Sequence, residues 1–246
     1  MKTVLITGAN RSIGFEAARQ LLQKGYYVYL GSRDIKKGEQ AVSRLRSEGL
    51  TQTEPIAIDA DDILSIKAAR QVIGGKTKVL DVLINNAGIS GGGLPQTALD
   101  TDVSVGKQVF ETNYFGVISV TQAFMDLLKL SPEPRIVNVT SGLGSLTLHN
   151  DPAWKSFSVK PAFYVASKAA LNAYTIVLAY NLRDTAFKVN AVDPGYTATE
   201  FNNFSGPGTI PDAAARLVKA AMLGPDGPTG QFFSDHNSPE TGISPW

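Results

Sequence analysis

The chain has 246 residues, 43% of them hydrophobic and 18% charged, enough apolar side chain for a sizeable core in one domain. Lys and Arg total 23 against 22 Asp and Glu, and a net charge of +1 gives no broad attraction for nucleic acid or an anionic membrane. Cysteine is absent and the two histidines, His149 and His236, lack metal-ligand spacing, so neither a disulfide nor a metal site is expected.

Short β-branched or aromatic runs alternate with helical patterns along the chain, the signature of βαβ units and a parallel sheet covered on both faces. The expected strands are Thr3–Thr7, Tyr26–Gly31, Pro55–Asp59, Val79–Asn85, Arg135–Thr140, Phe187–Asp193 and Gly230–Ser234. No repeat or linker divides them, so residues 1–246 read as one α/β domain. No apolar run reaches the roughly 18–20 residues of a bilayer span, and Met1-Lys2 leads directly into the first strand without a signal-peptide pattern. A cytoplasmic protein with no membrane partner is the expectation.

The first strand runs into "TGANRSIG", Thr7–Gly14, and then a helix with apolar residues at Ala17, Ala18, Leu21 and Leu22. Strand, glycine turn and helix together form a pyrophosphate-binding context. Gly8 permits the tight turn, Gly14 lets the helix lie close to the sheet, and the helix start offers free N–H groups. Ser12 stands where a three-glycine turn has its middle glycine; its hydroxyl is expected to satisfy an N–H or meet a phosphate oxygen.

After the second strand comes "YLGSRD". A carboxylate here would bind ribose hydroxyls, whereas a 2′-phosphate requires cations. Ser32 and Arg33 occupy the region, Arg11 lies in the glycine turn, and Asp34 can cap the next helix; the arginine pair favours NADP over NAD. Asp62 is the expected cap of the third helix, and Gly25 and Gly49 the C-terminal stops of the first two. Ile89–Gln96, His149–Pro161 and Tyr196–Thr209 read as loops at strand carboxyl ends, where open α/β sheets bind ligands.

Farther on, "FYVASKAALNAY" carries Tyr164 and Lys168 four apart, on one helix face. A phenol titrates near pH ~10, so proton transfer near neutrality needs help from a neighbouring cation, which Lys168 is placed to give. With "DADD" (Asp59–Asp62), "NNAG" (Asn85–Gly88), "TNYFG" (Thr112–Gly116), "VNVTS" (Val137–Ser141) and "DPGYTAT" (Asp193–Thr199), the chain resembles the short-chain dehydrogenases/reductases, in their carbonyl-reductase-like, NADPH-dependent branch.

That resemblance implies a doubly wound, seven-stranded Rossmann fold and hydride transfer between NADP(H) and a small carbonyl or alcohol. It makes Tyr164 the general acid, Lys168 the residue that lowers its pKa and holds ribose hydroxyls, Ser141 the donor to the substrate oxygen, and Asn113 the support of a proton relay. Cofactor contacts are implied for Gly8, Asn10, Arg11, Ser12, Ile13, Gly14, Ser32 and Arg33. They continue through Asp59, Ala60, Asn86, Ala87 and Gly88 to Pro194, Gly195, Thr197 and Thr199, with Tyr164 and Lys168 themselves. Asn85 and Asn86 can also serve to satisfy backbone groups between strands.

Two features depart from the family pattern: Ser12, and the 23-residue interval from Ser141 to Tyr164, about twice the usual one. The added segment leaves Thr140 and Ser145 as alternative hydroxyls. Leu143, Trp154, Tyr196, Phe201 and Phe204 fall on loops beside the site and suggest an apolar or aromatic ketone or aldehyde. A 3-oxoacyl-thioester reductase, a polyol dehydrogenase and a catalytically silent NADPH sensor are the alternatives. Relatives assemble through long helices, here Val103–Leu130 and Ala162–Asp184, so a homodimer or homotetramer is expected. The tail from Gly230 either covers a subunit contact or closes the sheet edge.

Overall fold

The computed structural model describes residues 1–92 and 96–246; Gly93, Leu94 and Pro95, within the expected loop Ile89–Gln96, lie outside the described residues. Seven parallel strands form one sheet: β1 (Thr3–Ile6), β2 (Tyr27–Ser32), β3 (Thr53–Ala57), β4 (Val82–Asn85), β5 (Arg135–Val139), β6 (Lys188–Val192) and β7 (Phe232–Phe233). Their order is β3-β2-β1-β4-β5-β6-β7, so the chain reverses direction across the sheet between β1 and β4. Val4 pairs with Val28 on one side and Val82 on the other. A crevice forms at such a reversal, beyond the strand carboxyl ends.

The helices are α1 (Ser12–Gln23), α2 (Ile35–Ser47), α3 (Ile63–Lys76), α4 (Val103–Phe110), α5 (Gly116–Leu128), α6 (Leu146–His149), α7 (Ala162–Asn181) and α8 (Ile210–Ala221). Strand alternation divides the core in two. Val4 and Ile6 face α1, α2 and α8 through Ala17, Leu21, Leu45 and Leu217, while Leu5 faces α3 and α5 through Ile66, Ile73 and Phe124. Asp34 and Asp62 cap α2 and α3 as expected, and Gly25 and Gly49 take left-handed conformations after α1 and α2.

Several boundaries shift for local reasons. β3 begins upstream at Thr53, whose hydroxyl donates to Val28 O at 2.9 Å, and it accommodates Pro55 because it is an edge strand. β4 starts three residues late, since Leu80 N–H is drawn to Leu127 O. β7 has only two residues, and the tail turns back beside it. Ser244 N–H donates to Phe232 O at 2.8 Å, Trp246 stacks on Phe232 at 5.5 Å, and Trp246 O accepts Thr147 N–H at 3.0 Å. The tail therefore closes the sheet edge. The expectation of no span-length apolar run is corrected by α7, which by length and composition alone could cross a membrane; it packs on the sheet through Leu171, Thr175 and Ala179.

Candidate active site

The glycine turn is built by close approach. Gly8 has φ +62°, and a Cβ there would lie 3.0 Å from Ala87 Cα; one on Gly14 would lie 2.5 Å from Asn86 Nδ2. That Asn86 amide donates to Thr7 O at 2.9 Å and Gly8 O at 3.0 Å, while Thr7 Oγ1 accepts the N–H groups of Asn86 and Ala87. Asn86 thus pins the turn to the end of β4. Asn85 is buried and donates to Thr121 Oγ1 and Asn138 Oδ1, a strand-to-strand role.

Ser12 adopts φ +53°, the left-handed conformation glycine takes without cost. Its expected capping bond does not form, and no side chain caps the first turn of α1, which carries no acidic residue. The N–H groups beside Asn10, Arg11 and Ile13 are therefore free for an anion, so the residues fit a pyrophosphate on a structural ground.

At the β2 end, the Asp34 carboxylate accepts Lys36 and Lys37 N–H at 3.0 and 3.3 Å, so it serves the helix. Ser32 is buried and donates to Asp34 O at 2.8 Å. Arg33 is exposed; burial pushes the neighbouring Asp61 carboxyl up, opposed chiefly by the Thr112 hydroxyl and more weakly by the Arg33 charge. Arg11 forms a 2.8 Å ion pair with Glu200, on the loop after β6, a partner that sequence reasoning did not anticipate. Asp59 and Ala60 line the same side: Asp59 Oδ1 accepts Asp61 N–H at 3.2 Å, and a Cβ on Gly116 would sit 2.7 Å from Ala60 O.

At the β6 end the backbone turns through Gly195 at φ +81°, held by its N–H on Asp193 Oδ1 at 2.9 Å and by Arg216 Nη1 on Pro194 O at 2.8 Å. Thr197 is buried and donates to Gly195 O at 3.2 Å, and Thr199 forms a reciprocal cap with Asn202.

Between these ends stand the residues expected to carry the reaction. Lys168 is buried and its Nζ donates to Val139 O at 2.8 Å, its only hydrogen-bond partner among the described residues. Burial pushes its pKa down from the ordinary 10.5 to about 8. Tyr164 lies one turn earlier, with Nζ 5.8 Å from its ring centroid. The expected lowering of its pKa by Lys168 is not found: burial pushes the phenol up to about 12, the nearby Ser141 hydroxyl opposes this and the Asp193 carboxylate reinforces it. Of the other two hydroxyls, Thr140 faces Lys168 O and Ser145 caps α6.

Asn113 is buried in a π-helical turn, Glu111–Phe115, between α4 and α5. π-turns recur at functional sites because they redirect one side chain. Its Oδ1 accepts Ile89 N–H at 2.8 Å and its Nδ2 donates to Ile89 O and Ser167 Oγ. Gly88 fits between Asn113 and Lys168: a Cβ there would be 3.2 Å from Asn113 Oδ1 and 3.6 Å from Lys168 Nζ.

Of the expected pocket wall, Phe201 lies 5.7 Å from the Tyr164 ring, and Tyr196 and Phe204 are exposed on the same loop. Leu143 is half-buried next to Ser141, its N–H donating to Ser141 Oγ at 3.2 Å. Trp154 is buried instead within the added segment, edge-on to His149 at 5.0 Å. No group of three or more potential metal ligands occurs among the described residues.

A doubly wound sheet, an uncapped glycine turn and a Ser-Tyr-Lys cluster at the sheet reversal define a dinucleotide-dependent oxidoreductase. The family model for short chain dehydrogenases matches residues 2–208, and the chain belongs to that family. It is 35% identical to (+)-neomenthol dehydrogenase of Capsicum annuum, over 93% of this chain and 94% of that one. It is 30% identical to salutaridine reductase of Papaver bracteatum, over 95% and 94%. The solved structure of salutaridine reductase from Papaver somniferum superposes with a TM-score of 0.84 at 30% identity, covering 96% of this chain and all of that one.

Proposed function

We propose that this chain is an NADPH-dependent carbonyl reductase acting on an apolar or aromatic ketone or aldehyde. The observation that carries the reading is the cluster in which a half-buried phenol, near Ser141, stands one helical turn from a buried ammonium that has a single hydrogen-bond partner among the described residues. When bound, NADPH supplies the hydride. Tyr164 donates the proton to the carbonyl oxygen, and a phenol pushed up to about 12 carries that proton throughout the working pH range. Ser141 donates a hydrogen bond to the same oxygen as negative charge develops on it. Lys168 uses its remaining N–H groups on the nicotinamide ribose, and Asn113 holds a water path towards it. Gly8, Asn10, Arg11, Ser12, Ile13 and Gly14 hold the pyrophosphate, and Asp59, Ala60, Asn86, Ala87 and Gly88 the adenosine half. Pro194, Gly195, Thr197 and Thr199 surround the nicotinamide.

Arg11 and Arg33, with Ser32, bind the 2′-phosphate, and the engagement of Asp34 by α2 supports this choice by removing a carboxylate from the ribose. The wall formed by Leu143, Tyr196, Phe201 and Phe204 supports an apolar substrate. The protein acts in the cytoplasm as a homodimer or homotetramer, its outer α5 and α7 surface, with Ile176, Val177 and Tyr180 exposed, forming the contact. The test is NADPH oxidation with aryl ketones, quinones and β-keto esters. Turnover with NADPH and not NADH, reduced about 100-fold or more by Tyr164→Phe, supports the reading. No turnover with any member, despite tight NADPH binding, overturns it in favour of a sensor.

A further inference from the structure

The segment that lengthens the interval between Ser141 and Tyr164 folds back on the turn carrying Ser141. His149 ends α6 with its Nε2 2.9 Å from Leu143 O, while Lys160 Nζ lies 3.3 Å from His149 Nδ1 and donates to His149 O at 2.9 Å. An ammonium can only donate, so Nδ1 is the acceptor and the ring proton sits on Nε2, where it donates to Leu143 O. Burial lowers the imidazole pKa, with the Leu143 carbonyl opposing and the Lys160 charge adding to the fall, so the ring is favoured in its neutral form. Trp154, edge-on at 5.0 Å, fixes the ring plane. The other face of the Leu143 residue carries its N–H, which donates to Ser141 Oγ at 3.2 Å.

We infer that His149 is a positioning residue for the reduction: relayed from Lys160, it clamps the Leu143 backbone and so orients the Ser141 hydroxyl towards the substrate oxygen. The relay also joins the two ends of the added segment, because Lys160 stands four residues before Tyr164 and His149 eight after Ser141. The hydroxyl donor and the phenol acid are thereby held in one frame, and small errors in such a frame are costly to rate. The inference rests on the reading of Ser141 and Tyr164 as the groups that act on a carbonyl.

The test compares the full-length parent with His149→Leu, His149→Gln and Lys160→Met, measuring kcat and KM for NADPH and for the best ketone, with amide exchange of residues 142–145. Gln retains an N–H near the Nε2 position; Leu retains bulk without a donor. The expected result is a drop in kcat of about tenfold in His149→Leu, KM for NADPH within about twofold of the parent, and faster exchange of the Leu143 amide. His149→Gln should recover most of kcat, and Lys160→Met should lie between. Parent-like kcat in His149→Leu, or equal loss in the Leu and Gln variants, overturns the clamp. If the parent reduces no carbonyl, the functional reading fails on its own, while unchanged amide exchange in His149→Leu would separately overturn the clamp.

Discussion

Replacing Lys168 by Met tests how the buried ammonium is tolerated. Its pKa falls from the ordinary 10.5 to about 8 because burial disfavours the charged form. At about 1.36 kcal/mol for each unit of pKa, that is a destabilisation of about 3 kcal/mol. Below pH 8 both the folded and the unfolded chain hold the proton, and the cost is complete. Between about 8 and 10.5 the unfolded chain binds more protons than the folded one, so stability rises with pH and the cost disappears. Lys168→Met has no such titration; its loss of the bond to Val139 O is a constant offset. Urea denaturation of parent and variant should therefore show the parent gaining on the variant by about 2–3 kcal/mol from pH 7 to pH 10, because all other titrations cancel. A difference that stays flat within about 0.5 kcal/mol over that range refutes the assignment of a depressed pKa and the solvation argument behind it.

The same titration predicts that kcat for reduction falls as pH rises through about 8, where Lys168 loses its proton, while Tyr164, held up to about 12, does not contribute. A flat profile to pH 10 would show that the charge of Lys168 is dispensable. Ser12→Gly removes a side chain from a left-handed position and should raise the melting temperature by about 2–4 °C, for about 1 kcal/mol of relieved strain; a lower value would mean that the serine side chain compensates. Glu200→Gln frees Arg11 from an exposed ion pair and should tighten NADPH binding up to about fivefold, with NADH unchanged. Equal effects on both cofactors in calorimetry would count against Arg11 as a 2′-phosphate ligand.

The sheet was legible because each strand is a short apolar run between helical repeats, and the two faces follow from alternation such as Val4, Leu5 and Ile6. Strand limits were less so, because they depend on partners far along the chain. Thr53 joins β3 through Val28, and Leu80 is withheld from β4 by Leu127. The caps at Asp34 and Asp62 were readable since the acceptor and the N–H groups it serves are two or three residues apart. The tail offered no such local rule: its strand is two residues long, and its placement depends on Trp246 meeting Phe232 and Thr147.

For the site, spacing drew attention to Tyr164 and Lys168 and the family motifs to Ser141 and Asn113, but neither gave their electrostatics. Spacing puts an ammonium near a phenol; whether it depresses the phenol depends on how both are solvated. Here burial acts on the two groups in opposite directions, raising Tyr164 and lowering Lys168, and the buried Asp193 carboxylate adds to the rise. In the proposed mechanism the protonated phenol is the acid loaded before the carbonyl arrives, and the ammonium behind it can pass a proton on after transfer. Oxidation by that mechanism would need the phenolate, so the same burial that keeps the acid loaded for reduction moves the pH optimum of the oxidative direction upward.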